Sequence, residues 1–402
     1  MPKFKLLVIG NGMASLRFLE EIVALAPDRF DITVAGEEPE PAYNRVLLSP
    51  LLSREIDTDG IAMKPRAWYA ANGITLITGV KVTAVDTEQR TAKLADGRSL
   101  SFDSCVFATG SSPIRLPIPG SELAGVQVFR SVADIGRLLP AAHRGEMAIV
   151  IGGGLLGFEA AYGLQRAGAK VTLLHLMDRL MERQLDATAA AVLKIALEAK
   201  GITVCLSAET ARIEGQTSVE KIVLLDGREI PTSLVVMAAG IRPNAALAAE
   251  ANIATKRGII VDDQMQTNVP GIYAIGECAE HQGTVYGLVE PAYEHARIAA
   301  HSICGAPAQY TGTVLATNLK VSGVPVFSAG DFEGAEREHI VWNDCANGSY
   351  RKFVIRENLL TGVVLIGDTT DALWYRDLIR SGEPIAKFRS TLAFGRGYAE
   401  AA

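Results

Sequence analysis

Twice in this sequence a short apolar run ends in a glycine-rich loop that opens an amphipathic helix. The first copy is Lys5 to Ile9 followed by Gly10-Asn11-Gly12-Met13-Ala14-Ser15. The second is Met147 to Ile151 followed by Gly152-Gly153-Gly154-Leu155-Leu156-Gly157. A strand, a tight glycine turn and a helix form a cradle for a pyrophosphate. The first glycine makes the turn, the second lets the phosphates approach the backbone, and the helix N-terminus faces the anion. The third position is Ser15 in the first loop, small but less close-fitting than the Gly157 of the second.

Both copies continue in the same order. After the first helix, with Phe18, Leu19, Ile22 and Val23 on one face, a second strand runs from Ile32 to Ala35 and ends at Glu37. A carboxylate roughly 20 residues beyond the loop can accept both hydroxyls of an adenosine ribose. Hairpins on Asp96-Gly97 and Asp226-Gly227 follow in the two copies. Each copy then closes with a buried strand ending in small residues, Ala108-Thr109-Gly110 and Ala239-Gly240. The reading is a duplicated nucleotide-binding domain. The fold class predicted is α/β, with two Rossmann-like domains and a smaller α+β domain after them. The second helix is predicted over Leu155 to Gln165. Ser111 to Gly120, with three prolines, reads as a linker. The predicted boundaries are 1–113 and 242–310 for the first domain, 114–241 for the second and 311–402 for the third.

The second copy differs at one informative place. At the end of its Lys170 to Leu174 strand stands His175, where NAD-selective sites usually carry an acid. A neutral histidine can bond a ribose hydroxyl and a protonated one attracts a 2′-phosphate. Arg179 and Arg183 are near in sequence, so NADH versus NADPH stays open. An ordinary strand-end histidine is the alternative.

Composition narrows the function classes. Among the 402 residues, 49% are apolar, which predicts a large core, and the net charge of −6 argues against nucleic acid as partner. The four apolar residues before Gly10 are too few for a signal-peptide core, and no run is long enough to span a membrane, so a cytoplasmic, unanchored protein is expected. The cysteines, Cys105, Cys205, Cys278, Cys304 and Cys345, are scattered without metal or redox spacing. Two dinucleotide folds imply two dinucleotides, a resident flavin and a diffusible nicotinamide. Hydride transfer between stacked rings needs orientation more than acid–base groups, in keeping with the lack of an obvious triad or paired-carboxylate motif.

With Ala108-Thr109-Gly110, Ala239 to Asn244 and Thr267 to Glu277 added, the sequence resembles the two-dinucleotide flavoproteins, the superfamily of rubredoxin, putidaredoxin and glutathione reductases. It is similar in particular to the FAD module of the assimilatory nitrite reductase large subunit and the electron-transfer subunit of assimilatory nitrate reductase. That likeness is carried by Gly10-Asn11-Gly12-Met13, Tyr43 to Ser49, Gly152 to Glu159, Met181-Glu182-Arg183-Gln184-Leu185-Asp186, Gly276-Glu277-Cys278 and Tyr286 to Pro291, and extends to Gly367-Asp368-Thr369 and Leu378 to Gly382.

The resemblance implies an oxidoreductase with FAD held by Gly10, Gly12, Ser15, Glu37, Arg45, Ser49, Val82, Thr109, Gly110, Glu277 and Glu290. Arg45 would contact the pyrophosphate, Ser49 would lie near the flavin and Val82 would hold the adenine through its backbone. Glu277 would hold the ribityl chain, and the helix opening at Glu290-Pro291 would aim at the flavin pyrimidine end. A surface charge is the alternative for Arg45, and a helix cap for Glu290. NADH or NADPH would lie on Gly152, Gly154, Gly157, Glu159, His175 and Gly240, with Glu159 near the nicotinamide.

Departures carry information too. Related reductases place a lysine after the serine of the Tyr-x-Arg segment, paired with the glutamate of the second loop. Here Pro50 stands there, so Glu159 must be solvated, protonated or otherwise paired. No cysteine precedes Cys105, which removes the disulfide, peroxidase and coenzyme A chemistry of other members. Nitrite reductase subunits continue into iron–sulfur and sirohaem domains. This sequence stops at Ala402 without a cysteine cluster and is not expected to reduce nitrite by itself. The expected partner is an iron–sulfur protein or a nitrate or nitrite reductase component. A rubredoxin or ferredoxin reductase, and a sensor that holds FAD and NADH without turnover, are the rivals. The third domain is a candidate dimer or partner interface through Trp342, Trp374 and Tyr375, with core packing as the alternative role.

Overall fold

In the computed structural model, which describes residues 3–319, 323–335 and 337–401, the apolar runs before both glycine loops lie in the middle of parallel sheets. Strand Phe4–Ile9 pairs with Phe30–Ala35 on one side and Ser104–Phe107 on the other. Ile272–Ala274 and Ile74–Ile77 complete five strands. A central parallel strand is covered on both faces, which is why Leu6, Leu7, Val8 and Ile9 are all buried without alternation. The second sheet repeats the plan. Met147–Ile151 lies between Lys170–Leu174 and Leu234–Met237, flanked by Thr203–Cys205 and Val126–Val128.

By its contacts the chain forms two compact units. The first gathers Met1–Arg45, Thr58–Ser112 and Ile241–Thr313. Its helix Met13–Leu25 buries Leu16, Phe18, Leu19 and Ile22 and packs against the long helix Val289–Cys304. The second gathers Val46–Asp57, Pro113–Gly240 and Val314–Ala402. There the short helix Leu48–Leu52 lies on helix Leu155–Arg166. Gly163 permits that approach, since a Cβ there would sit 3.0 Å from a Leu52 methyl and 3.2 Å from the Ser49 carbonyl oxygen.

The C-terminal part of the second unit is a five-stranded antiparallel sheet in the order Ala316–Leu319, Val326–Gly330, Leu359–Ile366, Ser349–Arg356, Glu338–Asp344. Helix Ala372–Ser381 covers it. The expectation for the aromatic residues divides. Tyr375 is buried and donates to the Leu392 carbonyl at 2.8 Å, so it is a core residue. Trp374 packs at a tilt against Tyr375 and Phe388, whereas Trp342 on the edge strand is exposed beneath the Arg351 guanidinium. The predicted linker contains a three-residue strand, Ser111–Pro113. Cys105, Cys205, Cys278 and Cys304 are free, and burial pushes the thiols of Cys105 and Cys278 up; the Cys345 side chain lies outside the described set. No helix among the described residues is long and apolar enough to cross a membrane.

Candidate functional site

The two loops are built by the same backbone bonds. Gly10 N–H donates to Ala35 O at 2.7 Å and Ala108 N–H donates to Ile9 O at 2.8 Å. In the second unit Gly152 N–H donates to Leu174 O at 2.8 Å and Ala238 N–H to Ile151 O at 2.9 Å. The first glycine of each loop has left-handed φ, +104° at Gly10 and +122° at Gly152. A Cβ there would strike the carbonyl oxygen of the neighbouring strand's end, Ala108 at 2.2 Å and Ala238 at 2.4 Å. The second glycine behaves oppositely. A Cβ on Gly12 or Gly154 would meet nothing within 4 Å. That open space lies at the N-terminus of a helix with no side-chain cap and no acid in its first turn, in both units. Unsatisfied first-turn N–H groups and the helix dipole favour an anion there.

In the first unit the loop also leaves polar atoms without partners. Ser15 is fully buried and its Oγ has no hydrogen-bond partner, nor has Asn11 Nδ2. Buried polar groups are normally satisfied, so the loop carries donors suited to an absent ligand. The cradle fits a dinucleotide pyrophosphate. Asn11 was not singled out from the sequence as a contact, although its place inside the loop was the available signal. Glu37, 69% exposed, stands beyond the second strand with Lys81 at 3.7 Å. Val82 opens a strand of the small antiparallel sheet. Arg45 donates to Glu38 and to the Tyr43 hydroxyl (2.7 Å), and that hydroxyl donates to Glu38 at 2.5 Å. Thr109 donates to the Asn244 carbonyl at 2.7 Å, and Asn244 returns a bond from its amide to Thr109 O at 2.8 Å. Gly110 has φ +64°. Glu277 lies in a helical turn, Gly276–Cys278, and accepts from Ser111 at 2.6 Å. Glu290 is in the first turn of helix Val289–Cys304, whose N-cap residue, Leu288, makes no side-chain cap bond. Asn244 and Ser111 are further polar partners that sequence reasoning did not assign.

The second unit places Ser49, and its hydroxyl donates to the Glu159 carbonyl at 2.8 Å. The Glu159 carboxyl itself has no basic partner among the described residues. The residue is 6% exposed, and burial pushes its pKa up to about 8, so it holds its proton at neutral pH. Of the three outcomes open from the sequence, burial without a basic partner among the described residues favours protonation. Gly157 fills the third position, and Gly240 has φ +107° and accepts from Ile114 N–H at 3.0 Å. His175 revises the sequence reading. It is buried, its Nδ1 accepts from Gly153 N–H at 3.0 Å, and its Nε2 lies 3.0 Å from Glu182 Oε2. Both ring nitrogens are thus taken inside the protein, and neither is offered to a ribose.

Gly157 gives a direct test of this packing. An added Cβ would stand 1.7 Å from Gly152 O, a backbone atom that cannot give way cheaply. Gly157→Ala should therefore cost roughly 3 kcal/mol or more in urea unfolding. Gly154→Ala, whose methyl enters open space, should stay within about 1 kcal/mol of the parent. Equal losses in both would contradict this account of the loop.

Two parallel five-stranded sheets, each with an uncapped helix behind a glycine turn, define a two-dinucleotide oxidoreductase fold. Residues 4–301 match the pyridine nucleotide-disulphide oxidoreductase family, and the chain belongs to that family. Residues 316–383 match the rubredoxin NAD+ reductase C-terminal domain. Among curated proteins, the chain is 48% identical to nitrite reductase [NAD(P)H] of Bacillus subtilis over 92% of its own length and 46% of that protein's. It is 46% identical to the assimilatory nitrate reductase electron transfer subunit of the same organism, over 92% of this chain and 48% of the other. The chain thus spans about half the length of these relatives. Among solved structures, the ferredoxin reductase for the CYP199A2 system from Rhodopseudomonas palustris superposes with a TM-score of 0.90 at 25% identity, covering 99% of each chain.

Proposed function

We propose that this protein is an FAD-dependent NAD(P)H oxidoreductase that passes electrons from NAD(P)H to a redox partner, an iron–sulfur protein or a component of a nitrate- or nitrite-reducing system. The observation that carries this reading is the duplicated cradle. Each copy has an open glycine beside uncapped helix N–H groups, and the first also has the unpartnered Asn11 Nδ2 and Ser15 Oγ. In the first unit Gly10, Gly12 and Ser15 receive the FAD pyrophosphate, with Arg45 as the nearby positive charge. Glu37 takes the adenosine ribose, Val82 the adenine, and Thr109, Gly110, Glu277 and Glu290 the remainder. Gly152, Gly154, Gly157 and Gly240 receive NAD(P)H in the second, and Ser49 fixes the backbone of Glu159. FAD, when bound, supplies the exchange between a two-electron donor and one-electron acceptors. Glu159, neutral at pH 7, places no negative charge in its buried surroundings.

The nitrate or nitrite assignment is supported by the names of the two Bacillus subtilis relatives. A rubredoxin or ferredoxin reductase is the second reading, favoured by the match of residues 316–383. Rapid anaerobic mixing of the FAD-reconstituted protein with NADH or NADPH tests the shared core of both. Bleaching of the flavin absorbance at about 1 s⁻¹ or faster is expected. Much slower bleaching with both nucleotides would point to a sensor and sink the reductase reading. Ranking turnover on rubredoxin, ferredoxin and a sirohaem nitrite reductase module then separates the two partners.

A further inference from the structure

We propose that Glu182, held by His175, is the carboxylate that reads the adenosine ribose of the nicotinamide nucleotide and selects NADH over NADPH. This rests on the assignment of the second cradle to NAD(P)H. Dinucleotide folds place an acid at the end of the second strand to accept the ribose hydroxyls. Here the strand Lys170–Leu174 ends at His175, whose ring is turned inward under the glycine loop. A Cβ on Gly153 would come within 2.6 Å of the His175 Cγ, so the ring lies directly against the loop.

The hydrogen bonds fix the tautomer. Nδ1 accepts from the Gly153 N–H and so carries no proton; Nε2 carries it and donates to Glu182 Oε2. A second bond ties the same segment to the same residue. Met181 N–H donates to Gly153 O at 2.9 Å, with Met181 itself buried in the left-handed region at φ 50°. Both backbone polar groups of Gly153 are therefore held, the N–H by residue 175 and the C=O by residue 181, and Glu182 follows directly. Its place relative to the pyrophosphate loop is set by short bonds, not by a free side chain.

Glu182 keeps access to solvent, with 26% of its side chain exposed, and its Oε1 takes no hydrogen bond from any described residue. A free, ionisable oxygen beside the loop can accept a ribose hydroxyl and repels a 2′-phosphate. Two arginines lie near in sequence. Arg179 is engaged by Glu333 at 2.5 Å. Arg183 is exposed, with Asp178 also exposed on the same segment. The acid has been moved from the strand end to the following turn, and the histidine occupies the vacated place as its positioning residue.

Glu182→Gln keeps an oxygen for His175 Nε2 and removes the charge. Calorimetric titration of the wild type with NADH, NADPH, 5′-AMP and 2′,5′-ADP should show tighter binding of the two ligands without a 2′-phosphate. In Glu182→Gln that preference should fall about tenfold or more for both pairs. In turnover assays the change should appear in KM, with kcat held. His175→Asn retains a short side-chain oxygen for Gly153 but cannot reach Glu182, and should shift the preference the same way. A preference unchanged within about twofold in a folded Glu182→Gln protein, or a wild type that favours NADPH, would overturn the inference. If the wild type bound none of the four ligands, the assignment of the cradle itself would fail instead.

Discussion

Gly12→Asp is expected to give a folded protein that takes up no flavin. Gly12 has extended backbone angles, φ −99° and ψ −166°, that any residue adopts, and a Cβ there touches nothing within 4 Å. Aspartate at that N-cap position even supplies a side-chain acceptor to the helix. The carboxylate, however, enters the space assigned to the pyrophosphate. At about 5 Å and an effective dielectric of about 20, each pair of like charges costs roughly 3 kcal/mol, and a hundredfold or greater loss of FAD affinity follows. Circular dichroism should match the parent while the visible flavin absorbance disappears. A yellow variant with the parent's flavin content would remove the first cradle from the FAD assignment. The neighbouring Gly10 cannot serve this purpose. With φ +104° and a carbonyl 2.2 Å from any added Cβ, its replacement perturbs the sheet as well as the site.

The second large effect concerns pH. Glu159 has its pKa pushed from an ordinary 4.5 to about 8 by burial. Between these values the native protein holds a proton that the unfolded chain has released. Stability from this group is therefore intact below about pH 4.5, falls as pH rises through the window, and levels off above about pH 8. At about 1.4 kcal/mol per pKa unit the ceiling is roughly 5 kcal/mol. Glu159→Gln removes the proton equilibrium and keeps the shape. It should unfold at higher urea concentration than the parent at pH 8.5 by an amount worth about 2 kcal/mol or more, and near the parent at pH 5. Parallel stability curves for the two proteins from pH 5 to 9 would show that the carboxyl is better solvated or paired than its surroundings indicate.

Some of the site could be read from residue order alone. Gly10 and Gly152 had to adopt φ values that side chains disfavour, and Gly12 and Gly154 had to be bare for an anion to approach. Those requirements follow from the chain within a few residues of each loop. The apolar runs Lys5 to Ile9 and Met147 to Ile151 likewise read as short strands before the loops, and the structure places each in mid-sheet, covered on both faces. His175 shows where such reading ends. Its position at the strand end was legible, but the direction of its ring was not. That depends on Gly153, a distant residue in sequence, leaving room for the ring and offering its N–H.

Sequence by itself determined the duplicated strand–loop–helix programme and the positions of its two glycine turns, because turn geometry and hydrophobic period are local properties. Tertiary structure alone decided that Glu159 is buried, which pushes its pKa up, that Ser49 bonds its carbonyl from 110 positions away, and that Glu182 is held by His175. It also joined Asp186 at a helix cap to Tyr350 and Lys352 of the C-terminal sheet. Desolvation and long-range pairing depend on what packs around a group. That is fixed only when segments far apart in the chain are brought together.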